Sequence, residues 1–488
     1  MSDPGPVLAV AAGLVLLAVL ASKVSARLGV PALLLFLVLG MLAGSDGLGG
    51  ISFTDYQLAQ SLGVVALAFI LFSGGLDTAW DDIRPVLGQG VALATIGVAV
   101  TALIAGSVAA WVFGFSLTTG LLVGAIMSST DAAAVFSVLR SHGVSLRGRL
   151  RPLLELESGS NDAMAAFLTI GLLSLLEDPS ASTIDLLGLL GQQMAVGGVA
   201  GYGLARLAIV ALNRLRLEYD GLYPVVTVAL VVFTYGTTTL LGGSGFLAVY
   251  VAGLVMGQAR FVHKASLTRF HDAIAWFAQI SMFLLLGLLV FPSALIELGP
   301  RALLVSVVLI LLARPAGVFL SLPTRRLRLA DKALISWVGL RGAAPIILAT
   351  FPLVEDAAAA EDIFNIVFFV VLTSVLVQGT TVRLAARRLG VAAPRADTPS
   401  PPLEFVLGDN AEMDLHQLRV VDGAPAAGRR LVQINLPPGT LVVLVSRNGE
   451  HIVPQGQTTL RPDDVVLVLA PDDALDQTRQ LLEIPAQA

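Results

Sequence analysis

The sequence predicts an all-α polytopic membrane protein followed by a small α/β domain. The 488 residues are 56% hydrophobic and only 13% charged, whereas a soluble domain carries about 25% charged residues. Apolar runs recur from residue 7 to residue 388, and their lengths are close to the roughly 20 residues that a helix needs to cross a bilayer. After them the chain becomes rich in proline and then alternates short apolar segments with turn residues.

Thirteen apolar segments are predicted as transmembrane helices. They span residues 7–22, 29–44, 57–75, 86–112, 117–139, 153–176, 187–212, 221–241, 245–259, 270–291, 301–321, 333–352 and 362–385. Nineteen Lys and Arg residues fall on one set of alternate loops, and Arg301 stands alone on the other. Because positive loops stay in the cytoplasm, we expect an outside N-terminus and a cytoplasmic C-terminus in the cell (inner) membrane. The first segment follows MSDPGP, which lacks the basic residues of a signal peptide, so we expect a retained helix.

Composition excludes several classes of function. The chain has no cysteine, which rules out disulfides and zinc–thiolate sites. It has no GxxxxGK[ST] loop for ATP-driven transport. An intramembrane hydrolase using Ser158 or Ser160 would need a basic partner beside the serine. All five histidines are predicted in loops or in the soluble domain: His142, His263, His271, His416 and His451.

The predicted domains are a membrane domain over residues 1–390, a linker over 391–402 and a soluble domain over 403–486. The linker reads VAAPRADTPSPP. In the soluble domain, LRVV, TLVVLVSR and DVVLVLA are predicted strands, and DDALDQTRQLLEI is a predicted closing helix.

Two predicted spans carry polar or helix-breaking residues at mid-depth. The fifth holds Ser128, Ser129, Thr130 and Asp131, and the twelfth contains GLRGAAP. Broken helices in a membrane require neighbouring protein or a wet cavity. The two breaks are seven helices apart, so helices 1–6 and 8–13 would form an inverted repeat with crossing helices at equivalent positions. Such matched breaks indicate a transporter's midplane site.

The sixth span contains ELESGSND, which places carboxylates inside an apolar segment. Ser158 and Asp162 are four residues apart and share a helix face, and Glu157 and Asn161 share the neighbouring face. A buried carboxylate must be protonated, paired or bound to a cation. Protons and cations would therefore compete for Asp162. The Ser158 hydroxyl and carbonyls near Thr130 would add oxygen ligands for a hard monovalent cation.

Glu157 needs a counter-charge, and the intramembrane arginines in the second half are Arg314 and Arg341. One paired Glu and one titrating Asp would leave a single exchangeable charge, which predicts an electroneutral one-for-one exchange. A cation channel gated by the soluble domain is the competing class. Channels build a filter around a symmetric pore, and thirteen helices with two broken ones fit a carrier better.

These motifs resemble the NhaP-type branch of the monovalent cation/proton antiporters, the CPA1 family. The similar segments are ESGSND, SSTDAAAVFSVLR, ARPAGV, GLRGAAP and FFVVLTSVLVQGTTV. The resemblance covers residues 7–390. It implies that Asp162 binds the ion beside Asn161, and that Glu157 forms a salt bridge, with Arg314 preferred over Arg341. It also implies that Thr130, Asp131 and Gly342 mark the crossing helices.

The same resemblance implies a homodimer that works by an elevator motion, without a cofactor and without nucleic acid. Many relatives carry an acid in helix 3, where this chain has Ser73. Asp77, one turn further on, either replaces that acid or lies in the following loop.

Residues 403–486 resemble the TrkA C-terminal domain, also called the RCK C-terminal domain, through AGRRLVQINLPPGTLVVLVSRNGEHIVPQGQTTLRPDDVVLVLA. Such domains accompany potassium transport and bind regulatory ligands, which implies a small-molecule ligand here, such as a nucleotide. The resemblance favours potassium as the substrate, with sodium as the alternative.

Overall fold

The computed structural model describes residues 5–28, 30–141, 143–177, 183–215, 217–322, 327–394, 414–447 and 450–483. The chain divides into two compact units, Met1–Arg395 and Ala396–Ala488. The first is helical, and the second contains a four-stranded sheet. Most of the predicted linker, residues 395–402, lies outside the described residues.

The described residues of the first unit form twenty α-helices. They are α1 (Gly5–Leu28), α2 (Ala32–Ala43), α3 (Tyr56–Asp77), α4 (Trp80–Ile83), α5 (Leu87–Ala92), α6 (Val98–Phe113), α7 (Leu117–Ile126), α8 (Ala132–Ser141), α9 (Leu150–Glu177), α10 (Thr183–Arg214), α11 (Leu222–Leu240), α12 (Gly245–Gln258), α13 (Lys264–Leu288), α14 (Pro292–Val308), α15 (Arg314–Ser321), α16 (Leu329–Trp337), α17 (Ala343–Leu348), α18 (Thr350–Val354), α19 (Ala360–Ser374) and α20 (Thr380–Arg388).

Within the described residues, nine helical stretches are long and apolar enough to cross a membrane, which makes the chain a multi-pass membrane protein. They are Leu8–Ser25, Tyr56–Asp77, Trp80–Phe113, Leu150–Glu177, Gly188–Arg214, Leu222–Leu240, Lys264–Leu288, Pro292–Ser321 and Ala360–Arg388. Four shorter apolar helices lie between them: Ala32–Ala43, Leu117–Ile126, Gly245–Gln258 and Ala343–Val354.

Two of the shorter helices belong to interrupted segments. Residues 127–131 separate α7 from α8, and residues 338–342 separate α16 from α17. Three other segments continue through one turn of π-helix, at Leu93–Gly97, Leu309–Ala313 and Val375–Gly379. π-Helical turns inside α-helices often occur at functional sites.

Glycines allow some helices to pack closely. A Cβ atom added to Gly40 on α2 would lie 2.9 Å from the Cα of Gly287 on α13, and one added to Gly287 would lie 2.8 Å from the Cα of Gly40. The two backbones therefore touch where neither residue carries a side chain. Small residues are the usual solution for helix contact in membranes, since they allow close van der Waals packing.

A two-stranded ribbon closes the first unit. Strand β1 (Val144–Leu146) lies in the connection between α8 and α9, and β2 (Ala392–Pro394) follows α20. The strands are antiparallel and pair Ser145 with Ala393. The Ser145 hydroxyl also donates to the Ala393 carbonyl at 3.3 Å. The first residues of the predicted linker are therefore paired with the membrane unit.

The second unit contains β3 (Asp414–Arg419), β4 (Leu441–Arg447), β5 (Glu450–Ile452), β6 (Val465–Ala470) and helix α21 (Asp472–Leu482). The sheet is antiparallel in the order β3-β6-β4-β5. Sequence analysis placed the first strand later, at residues 418–421, and missed β5.

An ion pair supports the sheet of the second unit. Arg447 donates to both carboxylate oxygens of Asp464, at 2.8 and 2.7 Å, and to the Thr459 carbonyl at 2.7 Å. The Asp464 side chain is 1% exposed. Hydrogen bonding to this carboxylate raises the pKa of the Arg447 guanidinium above its usual value.

Candidate ion-binding site

A cavity of about 590 Å³ enters the first unit between α3, α8, α9 and α13. Arg140, at the end of α8, and Arg151, at the start of α9, line one part of it. Asp162 lines another part. The rise along α9 from Arg151 to Asp162 is about 16 Å at 1.5 Å per residue. The cavity therefore connects this carboxylate with the loop side that the positive charges predict to be cytoplasmic.

Helix α9 sorts its polar side chains onto two faces. Ser158 and Asp162 line the cavity. Glu157 and Asn161 are 1% and 0% exposed and are directed into the packed interior. The four-residue spacing within each pair produces this separation, because residues four apart lie on one side of a helix.

Asp162 is a buried carboxylate held by one hydroxyl. Ser129, in the interruption between α7 and α8, donates to its Oδ1 at 2.5 Å. Among the residues that the structure describes, Asp162 forms no ion pair. A carboxylate in this position requires a proton or a bound cation to neutralise it.

The interruption between α7 and α8 is held by α9. The Ser158 hydroxyl donates to the Thr130 carbonyl at 2.9 Å and accepts from the Ala132 N–H at 3.1 Å. Asn161 donates to the Thr130 hydroxyl at 2.6 Å and accepts from its N–H at 3.4 Å. The Asn161 amide is thus engaged on both sides and does not line the cavity. Asn161, predicted among the ion-binding residues, therefore contacts the break through Thr130 in this structure.

The two interruptions meet each other directly. The N–H of Asp131 donates to the Leu340 carbonyl at 2.7 Å, and the Asp131 carboxylate caps α8 by accepting from the Ala134 N–H at 2.9 Å. A Cβ atom on Gly342 would fall 2.6 Å from the Cβ of Asp131. Glycine at 342 therefore permits the crossing at this point.

Glu157 pairs with Arg314. Arg314 Nη1 and Nη2 donate to the two Glu157 oxygens at 2.5 and 3.0 Å, and both side chains are at most 3% exposed. Arg314 Nη2 also donates to the Ile335 carbonyl at 3.3 Å. A Cβ atom on Gly339 would lie 2.7 Å from Arg314 Nε, so the first glycine of GLRG makes room for this arginine.

Arg341, the second candidate partner of Glu157, contacts backbone carbonyls in this structure. Its Nη1 donates to the carbonyls of Ser128 and Ser129, at 2.6 Å each. These carbonyls lie in the interruption that follows α7, where no helical N–H is available to pair with them, and each carbonyl oxygen carries partial negative charge. The guanidinium therefore neutralises the break in the first half, and Arg314 alone supplies the counter-charge for Glu157 among the described residues.

The two candidate residues on helix 3 both lie on α3. Ser73 is buried, Asp77 is the last residue of the helix, and both line the cavity that contains Asp162. Asp77 is consequently a wall residue of the cavity and does not lie in the following loop.

The prediction for His271 is wrong. It lies within α13 and is 1% exposed. Its Nε2 is 2.9 Å from the Thr227 hydroxyl, and its ring contacts Phe69 and Phe72. A buried histidine is therefore present among the spans, but it contacts Thr227 and aromatic rings and does not line the Asp162 cavity.

Three polar side chains near the two breaks are not among the predicted site residues: Ser129, Ser374 and Gln378. Ser129 is recognisable in the sequence as a polar residue in a break. Helical spacing relates only residues of the same helix, so it does not predict the contact of Ser129 with Asp162. Ser374 and Gln378 support the second break. Their signal was present in the sequence, because polar residues four apart within an apolar last span are costly unless they have partners.

Comparison with known proteins gives two family matches. The sodium/hydrogen exchanger transmembrane family matches residues 13–388. The TrkA-C domain family matches residues 415–483.

Several proteins are similar over most of their length. The K(+)/H(+) antiporter NhaP of Alkalimonas amylolytica is 40% identical over 457 residues, covering 93% of this chain and 79% of that protein. The K(+)/H(+) antiporter NhaP2 of Shewanella oneidensis is 40% identical over 466 residues, covering 95% and 81%. The Na(+)/H(+) antiporter ApNhaP of Aphanothece halophytica is 30% identical over 390 residues, covering 75% and 71%.

A solved structure shares the fold. The sodium proton antiporter MjNhaP1 of Methanocaldococcus jannaschii at pH 8 superposes with a TM-score of 0.69 and 25% sequence identity. The match covers 78% of this chain and 98% of that one.

Proposed function

The chain belongs to the sodium/hydrogen exchanger family, and we propose that it is a potassium/proton antiporter that works by alternating access. One proton and one K⁺ compete for the Asp162 carboxylate. The observation that carries this proposal is the buried Asp162, which faces a cavity and forms no ion pair among the described residues. The Ser158 hydroxyl and the Thr130 carbonyl complete an oxygen-rich site suited to a hard cation.

Charge balance supports an electroneutral exchange. The charge of Glu157 is balanced by Arg314, and the Asp131 carboxylate caps α8. Of these three acids, Asp162 is the one left to alternate between a proton and a cation. Each transport cycle therefore exchanges one positive charge for another.

Potassium is proposed over sodium because of two comparisons. Relatives at 40% identity over most of the chain are named K(+)/H(+) antiporters. The second unit matches the TrkA-C domain, and we propose that it regulates exchange by binding a nucleotide. Sodium is the alternative substrate, since a relative at 30% identity and the structural neighbour are sodium/proton antiporters.

The proposed membrane arrangement has thirteen passes, with helices 1–6 and 8–13 as an inverted repeat. The breaks α7/α8 and α16/α17 occupy equivalent positions in it. The π-helical turns at Leu93–Gly97 and Leu309–Ala313 lie in the segments that precede those breaks. The N-terminus would be outside the cell membrane and the C-terminus in the cytoplasm. The working unit would be a homodimer with an elevator motion.

The proposed domain division follows the change in composition. Residues 1–390 form the exchanger domain, 391–402 the linker and 403–486 the regulatory domain. Pairing of Ala392–Pro394 with Val144–Leu146 ties the start of this linker to the exchanger domain.

The test is exchange in proteoliposomes that hold an internal pH dye. A pH gradient is imposed, potassium, sodium or lithium is added outside, and wild type is compared with Asp162→Asn, which keeps the shape of the side chain. We expect dye dequenching that depends on Asp162 and is greatest with potassium. Dequenching by sodium alone would replace the substrate and keep the mechanism. A conductive cation leak without linked proton movement would instead indicate a channel.

A further inference from the structure

The break between α16 and α17 is attached to the last span by two buried side chains, Ser374 and Gln378. The N–H of Arg341 donates to the Ser374 hydroxyl at 3.0 Å, and Gln378 Nε2 donates to the Trp337 carbonyl at 2.7 Å. The Ser374 hydroxyl in turn donates to Gln378 Oε1 at 2.6 Å. Their exposure is 0% and 1%, so water does not replace these bonds.

We call Ser374 and Gln378, with the hydrogen bond between them, the clip. The clip supplies hydrogen-bond partners to backbone groups on both sides of the interruption. Trp337 is the last residue of α16, and its carbonyl has lost its partner in the next turn. Arg341 lies within the break, where its N–H has no helical acceptor. Unpaired backbone groups are costly in a membrane interior. The spacing of four residues lets Ser374 and Gln378 reach both groups from one side of their helix.

The clip leads to the ion site through one residue. The Arg341 N–H donates to the Ser374 hydroxyl, and the Arg341 guanidinium donates to the Ser129 carbonyl at 2.6 Å. The hydroxyl of Ser129 donates to Asp162. Neither Ser374 nor Gln378 lines the cavity, so any effect on the cation must pass through Arg341 and the first break.

We propose that Ser374 and Gln378 are positioning residues for cation exchange. They fix the Arg341 backbone, and Arg341 fixes the oxygen atoms that surround Asp162. Without the clip, these oxygens lose their arrangement, so that the cation binds more weakly while the rate at saturation is preserved. This inference rests on the proposed antiport.

The experiment measures the apparent KM for K⁺ and the maximal rate in the proteoliposome assay. Ser374→Ala and Gln378→Met each remove part of the clip, and Ser374→Thr keeps the hydroxyl. Ser306→Ala is the matched control, because Ser306 is also fully buried but donates only to its own helix, to the Ala302 carbonyl at 2.9 Å. All variants are also compared by melting temperature.

We expect Ser374→Ala and Gln378→Met to raise the apparent KM by about three- to tenfold, as the loss of a hydrogen bond would. Their maximal rates should stay within about twofold of wild type, and Ser374→Thr and Ser306→Ala should resemble wild type. An unchanged KM in both clip variants overturns the inference. The inference is also overturned if the rate falls in step with the melting temperature and falls equally in Ser306→Ala. That result would indicate a structural role alone. If wild type itself exchanges no cation, the proposed function fails and the inference falls with it.

Discussion

Removal of the Glu157 carboxylate should destabilise the membrane unit more than removal of the ion-binding acid. Glu157 is 1% exposed, and its partner Arg314 is 3% exposed. In Glu157→Ala, the guanidinium loses its bonds at 2.5 and 3.0 Å and keeps the weaker one, at 3.3 Å, to the Ile335 carbonyl. A positive charge is then buried without an acid to pair with it.

The magnitude follows from the burial of the pair. Removing one partner of a fully buried ion pair costs about 3–5 kcal/mol, because the other charge cannot regain water. Asp162→Ala removes a single acceptor from the Ser129 hydroxyl, which costs about 1 kcal/mol. It also removes a carboxylate that was costly to bury. The difference between the two variants is therefore about 2–4 kcal/mol.

The assay is thermal unfolding of the purified protein in detergent, followed by the fluorescence of its four tryptophans. Glu157→Ala should melt well below Asp162→Ala. The double variant Glu157→Leu/Arg314→Met should recover most of the loss, because it replaces both charges with apolar groups of similar size. Equal melting temperatures for the two alanine variants would refute the reasoning. A double variant no more stable than Glu157→Ala would do the same.

Four further predictions concern the cavity, the break and the second unit. Asp162→Asn should abolish exchange in a folded protein, whereas Asp77→Asn should keep the maximal rate and raise the apparent KM by about two- to threefold, as measured in proteoliposomes. Arg341→Met should lower exchange by about tenfold, because it removes the nitrogen that donates to both the Ser128 and the Ser129 carbonyl; wild-type kinetics in this variant would contradict the geometry. Arg447→Ala should destabilise the second unit by about 1–3 kcal/mol, because it leaves the buried Asp464 without its charged partner. The pKa of Arg447 is raised in the folded state. Its contribution to stability is therefore fully present below the ordinary pKa of arginine and is lost only as pH rises through the raised pKa. The loss in Arg447→Ala, measured by protease cleavage within residues 414–483 on heating, should therefore be the same at about pH 6 and about pH 9.

Much of the fold follows from local sequence patterns. Apolar runs locate the helices, and the glycines of GLRG together with the polar run from Ser128 to Asp131 locate the two interruptions. Spacing along a single helix was enough to separate Ser158 and Asp162 from Glu157 and Asn161. Each of these inferences uses one segment at a time.

Contacts between helices could not be predicted in the same way. Arg314 and Arg341 are both intramembrane arginines, and only helix rotation and depth decide which one reaches Glu157. Arg341 donates to the carbonyls of Ser128 and Ser129. Every residue has a backbone carbonyl, so the sequence does not indicate which carbonyls are unpaired. His271 was misassigned because polar neighbours obscure the start of its helix, whereas in the fold Thr227 and two phenylalanines enclose it.

The ribbon between β1 and β2 has a consequence for the order of assembly. Ser145 and Ala393 are paired although 248 residues separate them. During synthesis the chain emerges N-terminal part first, so the loop between α8 and α9 has no strand partner until α20 has been made. The two strands can pair only after every helix between them has been synthesised, and their pairing closes a long loop. The ribbon therefore joins the first half of the membrane unit to its last helix, and it can form only after α20 has been synthesised.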